Sequence, residues 1–182
     1  CARTHLRLQL WKSRLIQWRR EPVTLRIDNP TRPDRARSLG FKAKNGLIVV
    51  RQRVSSGGHT RPGKPGGRRP KNSTRRMNLA ITYQTIAEKR ADKKYPNCEV
   101  LGSYFVAKDG KAYWFEVILV DTSHPEIIAD KQLSWISRNV HRGRVYRGLT
   151  ASGKRSRGIL TNKGKGAEKL RPSLRAHDRK SH

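Results

Sequence analysis

The run Val100-Leu-Gly-Ser-Tyr-Phe-Val-Ala-Lys-Asp-Gly-Lys-Ala-Tyr-Trp-Phe-Glu-Val-Ile-Leu-Val120 sets the architecture of this 182-residue chain. Residues 100–106 and 113–120 are rich in aromatic and β-branched side chains, which are typical of strands. The turn residues Lys108-Asp109-Gly110 lie between them. The pattern predicts a β-hairpin at the centre of a packed body.

Two further segments flank this hairpin and could complete a small core. The spacing of Leu79, Tyr83, Ile86, Ala87 and Ala91 predicts one apolar helix face, and Pro96 would end that helix. After the hairpin, residues 125–130 are predicted to form a short helix, and residues 133–136 a further apolar contact.

The N-terminal part predicts a helix followed by two strands. Leu8, Trp11, Leu15 and Trp18 recur at helical spacing among basic residues, and Pro22 ends the pattern. Such a helix either packs on the body or lies on a membrane surface, and nothing else in the sequence points to lipid. Strands are predicted at 23–27 and 47–54, with Arg51 and Arg53 on a side that faces solvent or RNA.

A short basic helix is predicted between these two strands. Thr31 and Asp34 have the spacing of a capping box, and Pro33 suits a first helical turn. Gly40 can supply the left-handed residue that ends the helix. The helix would present Arg32, Arg35 and Arg37, and the loop after it would present Lys42 and Lys44.

The net charge of +29 is distributed very unevenly along the chain. Residues 1–76 hold 21 Lys and Arg against three acids, a net charge of +18. Residues 77–130 have a net charge of −2, and residues 131–182 a net charge of +13. A neutral middle with cationic flanks predicts a polyanionic partner, and RNA is the commonest large polyanion in a cell.

Residues 55–76 and 138–182 predict two basic extensions rather than core. The first has five Gly, three Pro and seven Lys or Arg, which favours an extended loop. The second is Gly- and Arg-rich, with a few apolar residues that could touch the body: Val145, Tyr146, Leu149, Ile159 and Leu160. The globular elements are therefore expected mainly within 1–54 and 77–137 of a single domain.

Composition argues against several other classes of protein. The sequence has no run of about 18 apolar residues that could span a membrane. Cations interrupt residues 6–18, so no secretory signal is expected there. Cys1 and Cys98 lack zinc-site spacing and are too few for a disulfide framework, which favours an intracellular location. Because the chain begins at Cys1 rather than Met, residues upstream of it are expected to be absent.

Two groups of residues resemble catalytic or nucleotide-binding motifs but fit poorly. Residues 58–65 approach a phosphate-binding loop, yet Pro65 stands where Ser or Thr would hold magnesium. Asp121, Ser123, His124 and Glu126 cluster after the hairpin, but a strand end followed by a helix cap explains them more simply. We therefore expect no enzyme activity, no cofactor, no metal and no small-molecule substrate.

Two roles are possible for four of the aromatic residues. Tyr83, Tyr104, Trp114 and Trp135 could stack on unpaired bases or pack in the core, and their spacing favours the core.

Several stretches match the sequence of a known protein family, in the same order along the chain. They are residues 32–46 (Arg-Pro-Asp-Arg-Ala-Arg-Ser-Leu-Gly-Phe-Lys-Ala-Lys-Asn-Gly), 86–91, 100–104, 114–121 with His124-Pro125, 147–150, 164–169 and 171–175. In these stretches the chain resembles the large-subunit ribosomal protein fifteen of the archaeal and eukaryotic (e) type. The C-terminal stretch is similar to archaeal members. Two departures are the lack of a Tyr-rich segment before Cys1 and a 55–76 loop that matches only in basic Gly/Pro character.

The resemblance implies an α+β fold and a structural role. The fold would be a small antiparallel sheet with packed helices and long basic extensions. The chain would bind rRNA and neighbouring proteins in the cytoplasmic large ribosomal subunit, supporting translation without enzymatic activity. The cations predicted to contact RNA are Arg32, Arg35, Arg37, Lys42, Lys44, Arg51, Arg53, Arg61, Lys64, Arg68, Arg69, Arg75, Arg76, Arg144, Arg147, Lys154, Arg155, Arg157, Lys163, Lys165, Arg171 and Arg175.

Two alternatives remain open from the residues alone. A non-ribosomal basic protein that compacts DNA or binds single strands would share the charge pattern, but it would not need these ordered matches. An RNA-processing enzyme would need a catalytic cluster, which the sequence does not provide.

Overall fold

A computed structural model describes residues 2–60, 76–159 and 161 of the chain. Its main sheet is antiparallel, with four strands in the order β1-β2-β6-β5. These strands are β1 (Thr24–Ile27), β2 (Leu47–Ser55), β5 (Cys98–Lys108) and β6 (Ala112–Asp121). Helices cover both faces of this sheet, so the predicted α+β class is confirmed.

The predicted hairpin consists of β5 and β6, which are the two longest strands of the sheet. Strands β5 and β6 pair from Cys98↔Asp121 to Lys108↔Tyr113, with register shifts at two points on β5. The Asp109 carboxylate closes the turn by accepting hydrogen bonds from the backbone N–H groups of Lys111 (2.8 Å) and Ala112 (2.7 Å). Asp109 therefore fixes the turn between the two strands.

Strand β6 lies inside the sheet because β2 pairs along its other edge. The ladder runs from Leu47↔Val120 to Ser55↔Ala112, and β1 adds a fourth strand outside β2. Side chains of β6 alternate between the two faces: Trp114, Ile118 and Val120 belong to one core cluster, and Phe115, Val117 and Leu119 to the other. The hairpin thus supplies both cores.

The N-terminal helix α1 (Ala2–Arg20) covers the first face of the sheet. Trp18 is 4% exposed and its ring lies 6.2 Å from that of Trp114. Trp11 and Leu15 pack against the same cluster. The apolar stripe predicted for this helix therefore packs on the body rather than on a membrane surface, and no helix in the described parts of the chain is long and apolar enough to span a bilayer.

The short helix α2 (Pro33–Ser38) also lies on this face, and it begins differently from the prediction. Pro33 does occupy the first turn, but the N-cap is Arg32 and no side chain caps the helix. The predicted capping box is wrong because Thr31 is engaged elsewhere. Its backbone N–H donates to the buried Glu116 carboxylate on β6 at 3.0 Å.

The second face is covered by α3 (Tyr83–Lys94), through the buried Ala87 and Ala91. The Thr82 hydroxyl caps its first turn by accepting from the Thr85 backbone N–H. Leu79, predicted to belong to this helix, precedes it. The cap fixes the start of the helix at Tyr83 because Thr82 has an extended backbone.

Residues 124–159 continue the body further than predicted. The chain forms α4 (Pro125–Ile128), two 3-10 turns (Ser134–Ser137 and Asn139–His141) and α5 (Ala151–Ser156). Leu133, Ile136 and Val145 are buried, and all three were predicted to contact the body. The packed body therefore continues beyond residue 137, and the part of the predicted extension that remains outside the described residues starts at 160.

The two ends of the predicted basic loop 55–76 form strands. Ser55 completes β2, and β3 (His59–Thr60) pairs with β4 (Arg76–Met77) in a two-stranded ladder. Residues 61–75 lie outside the described part of the chain.

Candidate nucleic-acid interface

Helix α2 presents two of the predicted RNA-binding cations to solvent. Arg35 and Arg37 are exposed, and neither forms an ion pair with any described residue. Ala36, between them, is fully buried and anchors the helix. The helix therefore fixes the backbone beneath two free guanidinium groups. Arg32 at its start pairs with Asp34 at 3.4 Å, but the two side chains are 40% and 66% exposed, so this pair is weak.

Gly40 ends α2 as predicted, in a left-handed conformation with φ of +94°. The N–H groups of Gly40 and Phe41 donate to the carbonyls of Arg37 (3.0 Å) and Ala36 (3.0 Å). These two bonds form a Schellman motif, which satisfies the last carbonyls of the helix. The end of α2, with Arg37 in its last turn, is therefore rigid.

The loop after α2 is held in place by acids from the α4 region. Lys44 donates to the carboxylate of Asp130, and Lys42 lies 3.7 Å from the same group. The hydrogen bond from Lys44 is the main reason why the pKa of Asp130 falls to about 2. Asn45 also donates to Glu126 at 3.2 Å. Lys44 is thus a structural cation, whereas about half of the Lys42 side chain stays exposed.

Helix α5 presents a second pair of predicted cations. Lys154 and Arg155 are exposed and form no ion pair among the described residues. The Thr150 hydroxyl caps this helix by accepting from the Gly153 backbone N–H at 3.1 Å. Arg157 at its end is turned inward, donates to the Gly148 carbonyl at 3.3 Å, and has a pKa lowered by burial.

A buried carboxylate fixes α5 to the body. Glu88 on α3 is 1% exposed and accepts from the hydroxyls of Thr150 (2.6 Å), Ser152 (2.6 Å) and Ser103. Three elements, α3, β5 and α5, therefore meet at one side chain. Hydroxyl donors satisfy this carboxylate, so no cation from the basic surface is needed to neutralise it.

The structure brings α2 and α5 to the same edge of the sheet. Strand β5 is one of the two outer strands of the main sheet, and Leu39 after α2 packs over Gly102 on one face. Ser152 of α5 and Ser103 of β5 share Glu88 on the other side. The free cations of the two helices thus flank β5, and we refer to Arg35, Arg37, Lys154 and Arg155 as the β5 rim. Two pairs of cations with rigid backbones can contact phosphates of one RNA segment or of two adjacent segments.

The predicted exposed side of β2 is instead covered by α1. Arg51 donates to Glu21 at 2.6 Å, its guanidinium lies 4.4 Å from the Trp18 ring centre, and its side chain is 11% exposed. Arg53 donates to the Arg19 carbonyl at 2.6 Å. The prediction that this side faces solvent is wrong for Arg51, because Trp18 and Glu21 cover its side chain. Arg53 stays partly exposed.

Arg144 and Arg147 also bind within the body. Arg144 donates to the Val100 carbonyl at 2.8 Å and lies 4.9 Å from the Trp135 ring centre, and burial lowers its pKa. Arg147 donates to the carbonyls of Val140 (2.6 Å) and Arg142 (2.8 Å). Their guanidinium groups are therefore occupied by backbone carbonyls, and their assignment as RNA contacts has no support from this geometry.

The other predicted cations lie where no side chain is described. These are Arg61, Lys64, Arg68, Arg69, Arg75, Arg76, Lys163, Lys165, Arg171 and Arg175. The near-miss phosphate-binding loop at 58–65 falls largely in the same region.

One exposed aromatic residue was missed by the sequence reasoning. Phe105 on β5 is 41% exposed and forms an edge-to-face contact with Tyr113, at 6.5 Å between ring centres. The register shift between Phe105 and Ala107 breaks the alternation of β5, so a period of two does not locate this position. By contrast, Tyr104 and Trp114 are buried, as the core interpretation predicted.

The residues after β6 form a strand end and a helix cap, as predicted. The Asp121 carboxylate accepts from the Ser123 backbone N–H at 3.0 Å, and Nδ1 of His124 accepts from the Glu126 backbone N–H at 3.3 Å. These polar side chains are thus occupied in local turns.

Comparison with known proteins agrees with the resemblance found in the sequence. The family model described as "Ribosomal L15", of the L15e type, matches residues 3–177. The large ribosomal subunit protein eL15 of Methanocella arvoryzae is 51% identical over 173 residues, which cover 94% of this chain and 88% of that protein. The protein of the same name from Picrophilus torridus is 50% identical over 169 residues, covering 92% of this chain and 86% of that protein. The chain therefore belongs to the L15e family of ribosomal proteins.

Proposed function

We propose that this chain is a structural constituent of the large ribosomal subunit, where it binds and stabilises rRNA through basic surfaces and so supports translation. Its family and its relatives give it a structural ribosomal role in the cytoplasm rather than an enzymatic one. We further propose that the RNA is bound mainly by the β5 rim.

RNA binding by the β5 rim is best supported by the exposure of its cations and by their lack of acidic partners among the described residues. Arg51 and Lys44 are held by acids within the body. The exposed side chains of Arg35, Arg37 and Lys154 have no such partner among the described residues. An Arg guanidinium matches phosphate oxygens in a two-pronged geometry, and a helix that is already rigid loses little entropy on binding.

The basic segments outside the described residues would add to this contact. Residues 61–75 and 162–182 contain Lys and Arg interspersed with Gly and Pro. Glycine permits close approach of the backbone to phosphates. We therefore propose that the β5 rim positions the chain and that the two segments extend the contact along the RNA.

The salt dependence of RNA binding tests the rim. We expect Arg35→Gln/Arg37→Gln and Lys154→Gln/Arg155→Gln each to lower the slope of log K against log salt by about 1.4 to 1.8, because each phosphate contact contributes about 0.7 to 0.9. The measurement is the affinity of the full-length chain for large-subunit rRNA over a salt series.

A matched control removes the same charge from another exposed surface. Arg90→Gln/Lys93→Gln alters two exposed cations on α3. We expect this variant to change the slope by less than half as much as the rim variants. Equal changes in all three double variants would contradict a localised rim and indicate a response to net charge alone.

A further inference from the structure

A polar cavity of about 260 Å³ lies at the end of the sheet where β5 begins and β6 finishes. It is separate from the β5 rim. Its lining combines an acid from β5, polar residues from the adjoining loops and cations from the segment after α4. The lining includes Glu99, Ser137, Arg138 and Arg142.

Two of these residues hold buried oxygens without hydrogen-bond partners. Glu99 is 7% exposed; its Oε1 accepts from the Gly143 backbone N–H at 2.7 Å, whereas Oε2 has no partner. The Ser137 hydroxyl is likewise buried and unpartnered. Leaving such atoms unsatisfied is costly, so two of them lining one cavity mark a place where water or a ligand can supply hydrogen-bond donors.

The same lining also contains exposed cationic side chains. Arg138 and Arg142 line the cavity and are exposed. Two guanidinium groups favour a ligand with an anionic part. The same arginines disfavour a metal cation. The ligand should therefore combine hydrogen-bond donors with a negative group.

We propose that this cavity binds one unstacked nucleotide of RNA, with its base against Glu99 and its phosphate near Arg138 and Arg142. Guanine is the best match, because its adjacent N1–H and N2–H groups can donate together to a carboxylate. A carboxylate has about four acceptor positions, so Glu99 can keep its bond to Gly143. Uracil offers one N–H between two carbonyl oxygens, which a carboxylate would repel. This inference rests on the proposed function.

Chemical probing of guanines in an assembled particle tests the proposal. Large-subunit rRNA is assembled with the full-length chain and treated with a glyoxal reagent that reacts at N1 and N2 of unprotected guanine. We expect the wild-type chain to protect one guanine. Glu99→Gln should raise the reactivity of that base at least about fivefold. Ser137→Ala, which leaves the Gly143 contact intact, should raise the reactivity of the same base by a smaller factor.

Two controls separate this inference from the proposed function. Asp28→Asn removes an exposed carboxylate and should leave the guanine protected. Co-sedimentation with the RNA should be unchanged in every variant, because the β5 rim is intact. Equal guanine reactivity with the wild-type and Glu99→Gln chains would overturn the proposal that the cavity binds guanine, but it would not affect the proposed function. A change confined to uridines, probed with a carbodiimide, would overturn the guanine proposal as well. Failure of the wild-type chain to co-sediment would instead overturn the proposed function, and the pocket with it.

Discussion

Glu88 shows how one buried acid holds the C-terminal part of the body. Its carboxylate accepts from three hydroxyls, of which Thr150 and Ser152 belong to the segment that carries the exposed Lys154 and Arg155. A buried charge is stable only when such donors surround it. Glu88 therefore links the packing of α3 to the placement of the cations on α5.

Replacing Glu88 should strongly destabilise the chain. We expect Glu88→Ala to lower the free energy of unfolding by about 3 kcal/mol or more, because it leaves buried hydroxyls unpaired and creates a cavity. Urea unfolding measures this change. Asp28→Ala, at an exposed carboxylate, should cost about 0.5 kcal/mol or less. Similar losses in the two variants would show that Glu88 does not have this role.

Asp92 is a second buried acid on α3, and it should make stability depend on pH. Burial raises its pKa to about 6, although the Tyr146 hydroxyl opposes the shift through a hydrogen bond. The folded state then binds more protons than the unfolded state between about pH 4 and pH 6. The stability contributed by protonated Asp92 is therefore present below about pH 4 and is lost as the pH rises through 6.

The variant Asp92→Asn isolates this effect. It should change stability little at pH 4 and raise the free energy of unfolding at pH 8, by up to about 3 kcal/mol for a shift of roughly two pKa units. Urea unfolding of both chains over this pH range provides the measurement. A gain of equal size at pH 4 and pH 8 would rule out ionisation of Asp92 as the cause.

Two glycines, at the end of α2 and before β2, have the same backbone conformation but different surroundings. Gly40 and Gly46 have φ of +94° and +82°. A Cβ on Gly40 would lie 3.6 Å from its nearest neighbour, a methyl of Leu101, whereas one on Gly46 would lie 2.6 Å from Cγ1 of Ile127. Glycine is therefore required at position 40 only for the left-handed backbone. At position 46 it is also required because a side chain would overlap Ile127.

Alanine substitutions should separate these two roles. We expect Gly40→Ala to cost about 1 to 2 kcal/mol, the price of a left-handed residue with a Cβ. Gly46→Ala should cost about 3 kcal/mol or more, because steric overlap adds to the same backbone strain. Thermal or urea unfolding of the pair gives the comparison. A smaller loss for Gly46→Ala than for Gly40→Ala would contradict the packing described here.

Local patterns predicted the elements well, and long-range contacts account for the errors. The hairpin, Pro33 in the first turn of α2 and the left-handed Gly40 depend on nearby residues, and all were predicted. The capping box failed because Thr31 donates to Glu116, 85 residues away. Arg51 was predicted to face outward, but Glu21 and Trp18 come from an earlier element and cover it. Such pairings have no signature in a local window.

For the molecule as a whole, charge distribution was informative but did not locate the interface. It separated cationic flanks from a neutral middle, yet several flanking cations proved to be structural. Arg144 and Arg147 bind backbone carbonyls within the body, whereas Arg35 and Lys154 remain exposed. A count of charges cannot distinguish these cases, because the difference depends on which carbonyls and acids the fold brings near.

Retention of the full-length chain on large ribosomal subunits in a salt-containing sucrose gradient tests whether the β5 rim binds rRNA. The wild-type chain should co-sediment with large subunits in moderate salt. A variant with Arg35, Arg37, Lys154 and Arg155 all replaced by Gln should be released at clearly lower salt, while Arg90→Gln/Lys93→Gln is retained like the wild type. Absence of the wild-type chain from large subunits, or release of the rim variant at the same salt as the wild type, would contradict the proposal.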